Sequence, residues 1–220
     1  MQRPYVIVGG NMSVDGKTAT VTGDGSILAR SMGGELVRRL HLLRSSVDAV
    51  IVGIETIIKN DPRLTVRAVE GRNPMRIVFD SMARTPLGAH VVDVEEAETI
   101  IFVSRSAPRE RVKALEAKGV KVLECGSDRV DVSRALGIIS EMGLRRVLVE
   151  GGGRMRWSFF KEGVVDELFL YVTPMIIGGS NAPTLVDGKG FMDSKEAIRL
   201  KLASFEVVDG TLVLRYFVER

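Results

Sequence analysis

Short apolar runs recur along the chain, and most stop at a glycine or a polar turn. "YVIVGGNMS" (5–13) is β-rich and is expected to break at Gly9 and Gly10. Residues 35–45 place Leu36, Leu40 and Leu43 on one helical face, with Glu35, Arg38 and Arg39 outside it. "DAVIVG" (48–53) reads as a buried strand that runs into a short helical segment, and "RIVFD" (76–80) and "TIIFVS" (99–104) are two more strands. Residues 108–118 form a charged helix, with proline at its start and Gly119 at its end. "VKVLEC" (120–125) is a strand, Val132, Leu136, Ile139 and Met142 mark an amphipathic helix closed by Gly143, and "RRVLVE" (145–150) is the next strand. Strands alternating with helices predict a parallel sheet with right-handed crossovers.

The end of the chain changes character. "ELFLYVTP" (167–174) is followed by a glycine-rich connection. "ASFEVVDGTLVLRYFVE" (203–219) then carries Asp209-Gly210 between two alternating runs, a strong hairpin signal. Leu212, Leu214, Tyr216 and Val218 share one face of the last strand. The expected fold is a single three-layer α/β domain spanning 1–220, its mixed, mostly parallel sheet closed by a C-terminal antiparallel hairpin.

Composition narrows the classes. The chain is 45% hydrophobic and 27% charged, and no apolar run approaches the roughly 18 residues of a membrane span, so a soluble globular protein is expected. Net charge is +3, but the charges are interspersed and only three Tyr and one Trp are present, which argues against a nucleic-acid partner. The first residues lack the chemistry of a secretory signal, so a cytoplasmic location is expected. Cys125 is the only cysteine, which excludes an internal disulfide and any multi-cysteine metal site; no metal is expected. Of the two histidines, His41 reads as a half-buried surface residue on its helix. A zinc deaminase would need His-x-Glu and Cys-x-x-Cys, and neither is present.

Three clusters could carry chemistry. "EGGG" (150–153) joins a strand to a helix, leaving backbone N–H groups and open space where a diphosphate could approach. It is not the Gly-x-Gly-x-x-Gly dinucleotide pattern, and a turn that only permits close packing is the alternative. Glu150 ends a strand where parallel sheets bind ligands, and would accept hydrogen bonds from hydroxyls or amines or else form a salt bridge. Asn11, Ser13, Asp15 and Gly16 could line a pocket or build a turn. Thr56, Asn60, Asp61, Arg63 and Arg67 gather around one proline, an arrangement suited to a phosphate monoester, although each arginine alone is more often a solvated charge.

"NMSVDGKTA", "LRSSVDAVIVGIETIIKNDPRLTVR", "NPMRIVFDS", "VLVEGGGRM" and "VVDELFLYVTPMIIGG" occur in this order. Together they resemble the riboflavin-biosynthesis pyrimidine reductases, which have the dihydrofolate reductase fold. The resemblance implies NADPH-dependent reduction of a ribosylaminopyrimidine 5′-phosphate to the ribitylamino compound. It implies cofactor contacts from Thr56, Asn60, Ser81, Met82, Ala83, Arg84, Gly151, Gly152, Gly153 and Arg154, with Ser81 and Arg84 at the adenosine 2′-phosphate. Asn60 stands where many members have Asp, and Asp80 alone would have suggested NAD. On the substrate side it implies Asn11, Asp15, Ser26, Arg44, Asp61, Leu64, Arg67 and Glu150, the last as the catalytic carboxylate. Arg44 and Arg67 would hold the phosphate, with Arg63 as a third donor. The chain starts at the reductase, as in the stand-alone archaeal and fungal type, so the diamino substrate is expected. The deaminated uracil compound, a dihydropterin, and an NADPH-binding regulator without turnover are the alternatives. An apolar C-terminal edge further predicts a homodimer.

Overall fold

The structure is a computed structural model and describes residues 3–220. Its elements are, in order, β1 (Tyr5–Ser13), α1 (Ser26–Arg30), α2 (Gly34–Ser45), β2 (Ala49–Gly53), α3 (Ile54–Asn60), β3 (Met75–Phe79), β4 (Thr99–Val103), α4 (Arg109–Glu116), β5 (Lys121–Glu124), α5 (Val132–Glu141), β6 (Arg146–Val149), α6 (Gly153–Lys161), β7 (Glu167–Thr173), β8 (Leu200–Val208) and β9 (Thr211–Val218). Among the described residues β2 to β5 pair in parallel in one part of the chain and β1 and β7 in another, with antiparallel pairing where β9 meets β7 and β8. The described residues pack as two compact units: Leu40–Leu148 with residues 3–5, and Val6–Arg39 with Val149–Arg220.

In the first unit the strand order is β5-β4-β3-β2-β6. The pairs β2/β3, β3/β4 and β4/β5 are parallel, with Ile51 opposite Ile77 and Ile77 opposite Ile100. Val50, Ile51, Val52, Ile77, Val78, Ile101 and Phe102 are fully buried, which is why these strands read as continuous apolar runs rather than alternating ones. Helix α5 buries Val132, Ala135, Leu136 and Ile139, and Asp131 caps it by accepting from the Arg134 N–H at 2.8 Å. Pro108 and Gly119 (φ 84°) bracket α4 as expected. Two charged side chains tie strand ends together. Asp48 accepts from the backbone N–H groups of Arg145 and Arg146 at 2.8 and 2.9 Å. Arg76, fully buried, donates to Thr99 Oγ1 and to the carbonyls of His90, Asp93 and Ala97.

In the second unit the order is β1-β7-β9-β8. β1 does not break at Gly9 and Gly10 as its glycines suggested: it runs on to Ser13, with Gly9 opposite Phe169 and Gly10 opposite Leu170 in a parallel ladder. The glycine serves close approach instead, since a Cβ on Gly10 would lie 2.5 Å from Leu185 Cδ1. Leu36, Tyr171 and Val213 form a buried cluster with Met32, Phe169 and Val208 against it. The hairpin turn is as expected: Asp209 (φ 50°) and Gly210 (φ 76°) are both left-handed, the requirement of a type I′ turn. β8 lies at the end of this run and is largely exposed.

Candidate active site

The predicted site residues fall into two groups, one in each unit. In the first unit, β2 runs directly into α3, which places Thr56 and Asn60 one turn apart on one helical face. The helix ends at Asp61, left-handed at φ 38°, whose Oδ1 accepts from the His90 N–H at 2.8 Å. Leu64 is also left-handed (φ 58°), and it is buried in the core, so its place is structural.

The structure brings Arg44 and Arg67 together. Arg44 Nη1 donates to the Thr65 carbonyl at 3.3 Å and Arg67 Nη1 to Thr65 Oγ1 at 3.1 Å. His41 fixes this segment: its Nδ1 accepts from the Arg67 N–H at 2.9 Å. His41 is therefore not the half-buried surface residue expected; at 4% exposure it is buried, because the 64–67 segment folds over α2 and needs an acceptor there. Arg63 is drawn away to Glu96 at 3.0 Å and does not join the other two.

The turn after β3 carries Ser81, Met82, Ala83 and Arg84. Its organiser is Asp80, fully buried, whose Oδ2 accepts from both the N–H (2.7 Å) and Oγ1 (2.8 Å) of Thr85. The carboxylate that suggested a ribose contact thus points inward. Ser81 is also engaged, its Oγ accepting from the Val130 N–H at 3.1 Å and its carbonyl from Ser104. Ala83 is buried with φ 53°, Met82 is exposed, and Arg84 stands in solvent.

In the second unit the three glycines do different work. A Cβ on Gly153 would lie 2.3 Å from Asp187 Oδ2 and 2.7 Å from the Thr184 carbonyl, so this glycine is required by packing. One on Gly151 would press on the Met155 side chain, whereas one on Gly152 would meet nothing. Gly152 is the N-cap of the nine-residue α6 and no side chain caps it, which leaves open space over backbone donors. Arg154 is exposed beside it.

Sequence reasoning missed Arg156. It is 6% exposed and donates through Nε to the Gly9 carbonyl (3.1 Å) and through Nη1 to the Leu185 carbonyl (3.2 Å). Burial pushes its pKa down to about 10 against the charges of Glu150 and Asp187, so it stays a cation at neutral pH. The only sequence signal was its position three residues after Gly153, on the face of α6 that also buries Phe159 and Phe160. Glu150 itself is half-buried just past β6.

Asn11, Asp15 and Ser26 serve the local frame. Asn11 accepts from Thr173 Oγ1 at 2.8 Å and donates to the Leu28 carbonyl, fixing α1. Asp15 accepts from Ser13 Oγ and from the N–H groups of Ile177 and Gly178 at 3.1 and 2.7 Å. Ser26 donates to Asp24 at the start of α1. A concavity of about 550 Å³ lined by Phe160, Phe191 and Arg199 contains none of these residues.

Residues 4–214 match the RibD C-terminal domain. The chain belongs to that family. The RibD-family relatives include a 2,5-diamino-6-ribosylamino-4(3H)-pyrimidinone 5′-phosphate reductase of Methanothermobacter thermautotrophicus, 44% identical over 99% of both chains. A protein of the same name from Aquifex aeolicus is 40% identical over 99% of this chain and 98% of its own. Among solved structures, RibD of Acinetobacter baumannii superposes with a TM-score of 0.81 at 26% identity, covering 99% of this chain and 58% of that one. This chain therefore spans little more than half of that RibD protein. Among the described residues no helix is long and apolar enough to cross a membrane.

Two predictions follow from the local geometry. Gly153→Ala should cost about 1–3 kcal/mol through overpacking, while Gly152→Ala, with nothing to meet, should leave the urea midpoint unchanged; equal losses would contradict the division of labour. Asp15 is held down at about 2, chiefly by the Ser13 hydroxyl, against desolvation and with help from the Gly178 and Ile177 amides. Its anchor is then complete above the ordinary value of 3.8 and lost only as pH falls towards about 2. Hydrogen exchange at Ile177 and Gly178 should stay protected at pH values where free carboxylates protonate, and Asp15→Asn should speed it by about ten-fold.

Proposed function

We propose that this chain is the NADPH-dependent reductase of 2,5-diamino-6-ribosylamino-4(3H)-pyrimidinone 5′-phosphate in riboflavin biosynthesis, working in the cytoplasm. The observation that carries the reading is the convergence of Arg44 and Arg67 on Thr65, two forked donors held by one residue and suited to a phosphate monoester. A dihydropterin, without a phosphate, would leave that pair without a purpose.

The residues fit a phosphorylated dinucleotide. In the second unit, the uncapped start of α6 with open space at Gly152 suits a diphosphate. Asp80, the acid that would select an unphosphorylated ribose, is committed to Thr85, while Arg84 lies outside the core, where only an exposed pair with Glu55 stands between it and a 2′-phosphate. NADPH, when bound, supplies a hydride. In the substrate, the ribosyl ring opens at C1′ to an imine and a free hydroxyl; hydride at C1′ and a proton at nitrogen complete the ribitylamino product. Glu150 accepts hydrogen bonds from the substrate's hydroxyl or amino groups and so orients C1′. Arg156, through its bonds to Gly9 and Leu185, keeps β1 and the 184–187 loop in place behind it.

We also propose a homodimer formed through β8. That strand ends the second unit's run and exposes Leu202, Phe205 and Val207, an apolar edge of the kind that proteins cover.

NADPH oxidation followed at 340 nm with the diamino and the deaminated compounds in parallel tests the activity. Faster turnover of the diamino compound is expected. Preference for the uracil compound would reassign the substrate, and cofactor binding without oxidation would favour a regulator. Arg67→Ala should raise KM for the phosphorylated substrate by about ten-fold or more, and an unchanged KM would remove Arg67 from the phosphate site. For the dimer, sedimentation of Phe205→Lys should show a monomer where the parent sediments as a dimer; a parent that sediments as a monomer would end that proposal.

A further inference from the structure

Arg84 does not stand idle in solvent. Its Nη2 donates to Glu55 Oε1 at 2.6 Å, linking the turn after β3 to the first turn of α3. Side-chain exposure is 49% for Arg84 and 61% for Glu55, so solvent screens the pair and its net energy is small. A ligand can therefore displace it. A carboxylate and a phosphate monoester bind a guanidinium through the same forked donors, and two anions on one fork repel each other. Glu55 is placed to compete because it needs no other partner to hold its position: it lies in the first turn of α3, where the helix dipole favours an acid.

NADPH and NADH differ only in the 2′-phosphate, so whatever occupies Arg84 acts on one and not on the other. We propose that Glu55 is a specificity-determining residue, which competes with the 2′-phosphate for Arg84 and thereby limits the preference for the phosphorylated dinucleotide. The inference rests on the reading of Arg84 as the 2′-phosphate partner.

The test is a set of binding titrations of NADPH and NADH, read by quenching of protein fluorescence, on the parent, Glu55→Gln, Arg84→Ala and the double variant. Both side chains are exposed, and thermal melting checks that each variant is folded. Glu55→Gln should tighten NADPH by about three- to five-fold and leave NADH unchanged. Arg84→Ala should weaken NADPH by about ten-fold with little effect on NADH. Adding Glu55→Gln to Arg84→Ala should bring no further tightening, because the two residues act through one contact. If Arg84→Ala leaves the preference unchanged, the 2′-phosphate role of Arg84 falls and the proposal falls with it. If Arg84→Ala removes the preference but Glu55→Gln leaves NADPH affinity unchanged or weaker, Glu55 alone is misassigned. Tightening that persists in the double variant would likewise overturn competition for Arg84.

Discussion

Parallel pairing is the constraint from which the rest follows. When strands pair in parallel, their C-terminal ends fall side by side and the turns that leave them become neighbours, however far apart in sequence. β2 and β3 are locked with Gly53 opposite Phe79, so the segments that begin at Ile54 and Asp80 emerge together. That is why Glu55 and Arg84, 29 positions apart, meet at 2.6 Å. The same logic acts in the second unit. β1 and β7 end with Ser13 opposite Thr173, and Asp15 then reaches the backbone of Ile177 and Gly178 just beyond. Charged side chains serve this arrangement. Asp48 satisfies the N–H groups at the start of β6 and Arg76 the carbonyls of the connection between β3 and β4, where an unpaired carbonyl or N–H would be costly.

Most of the elements were legible because their signals are local. The apolar runs of β2, β3 and β4, the Pro108 and Gly119 brackets of α4, and the Asp209-Gly210 turn each follow from chemistry within a few residues. The misreadings came where a distant partner decides. Gly9 and Gly10 looked like a strand end, but the glycine at 10 makes room for Leu185, which no local pattern reveals. His41 looked like a surface residue until the backbone of Arg67 folded over it. Arg156 was invisible for the same reason: on α6 it is one cation among exposed ones, and only the carbonyls of Gly9 and Leu185 turn it inward.

The candidate site shows the same limit more sharply, since identical residue types divide between structure and recognition. Of the two acid and basic groups that flank the β3 turn, Asp80 is consumed by Thr85 and Arg84 is left outside; the sequence "DSMAR" contains both and ranks neither. Of the three arginines near the 61–67 loop, Arg44 and Arg67 share Thr65 while Arg63 answers to Glu96.

The glycine turn is the clearest case. A run of three glycines reads as one phosphate-binding signal, yet Gly153 is fixed by the approach of Asp187 and Thr184, and only Gly152 has space above it. A substitution at Gly153 would therefore lower binding by disturbing the frame, and the loss would say nothing about contact with a phosphate. Gly152 is the position where a lost affinity at unchanged stability carries that meaning. The distinction rests on what a Cβ would meet at each position, and a motif cannot express it because a motif records which residue is present and not what surrounds it.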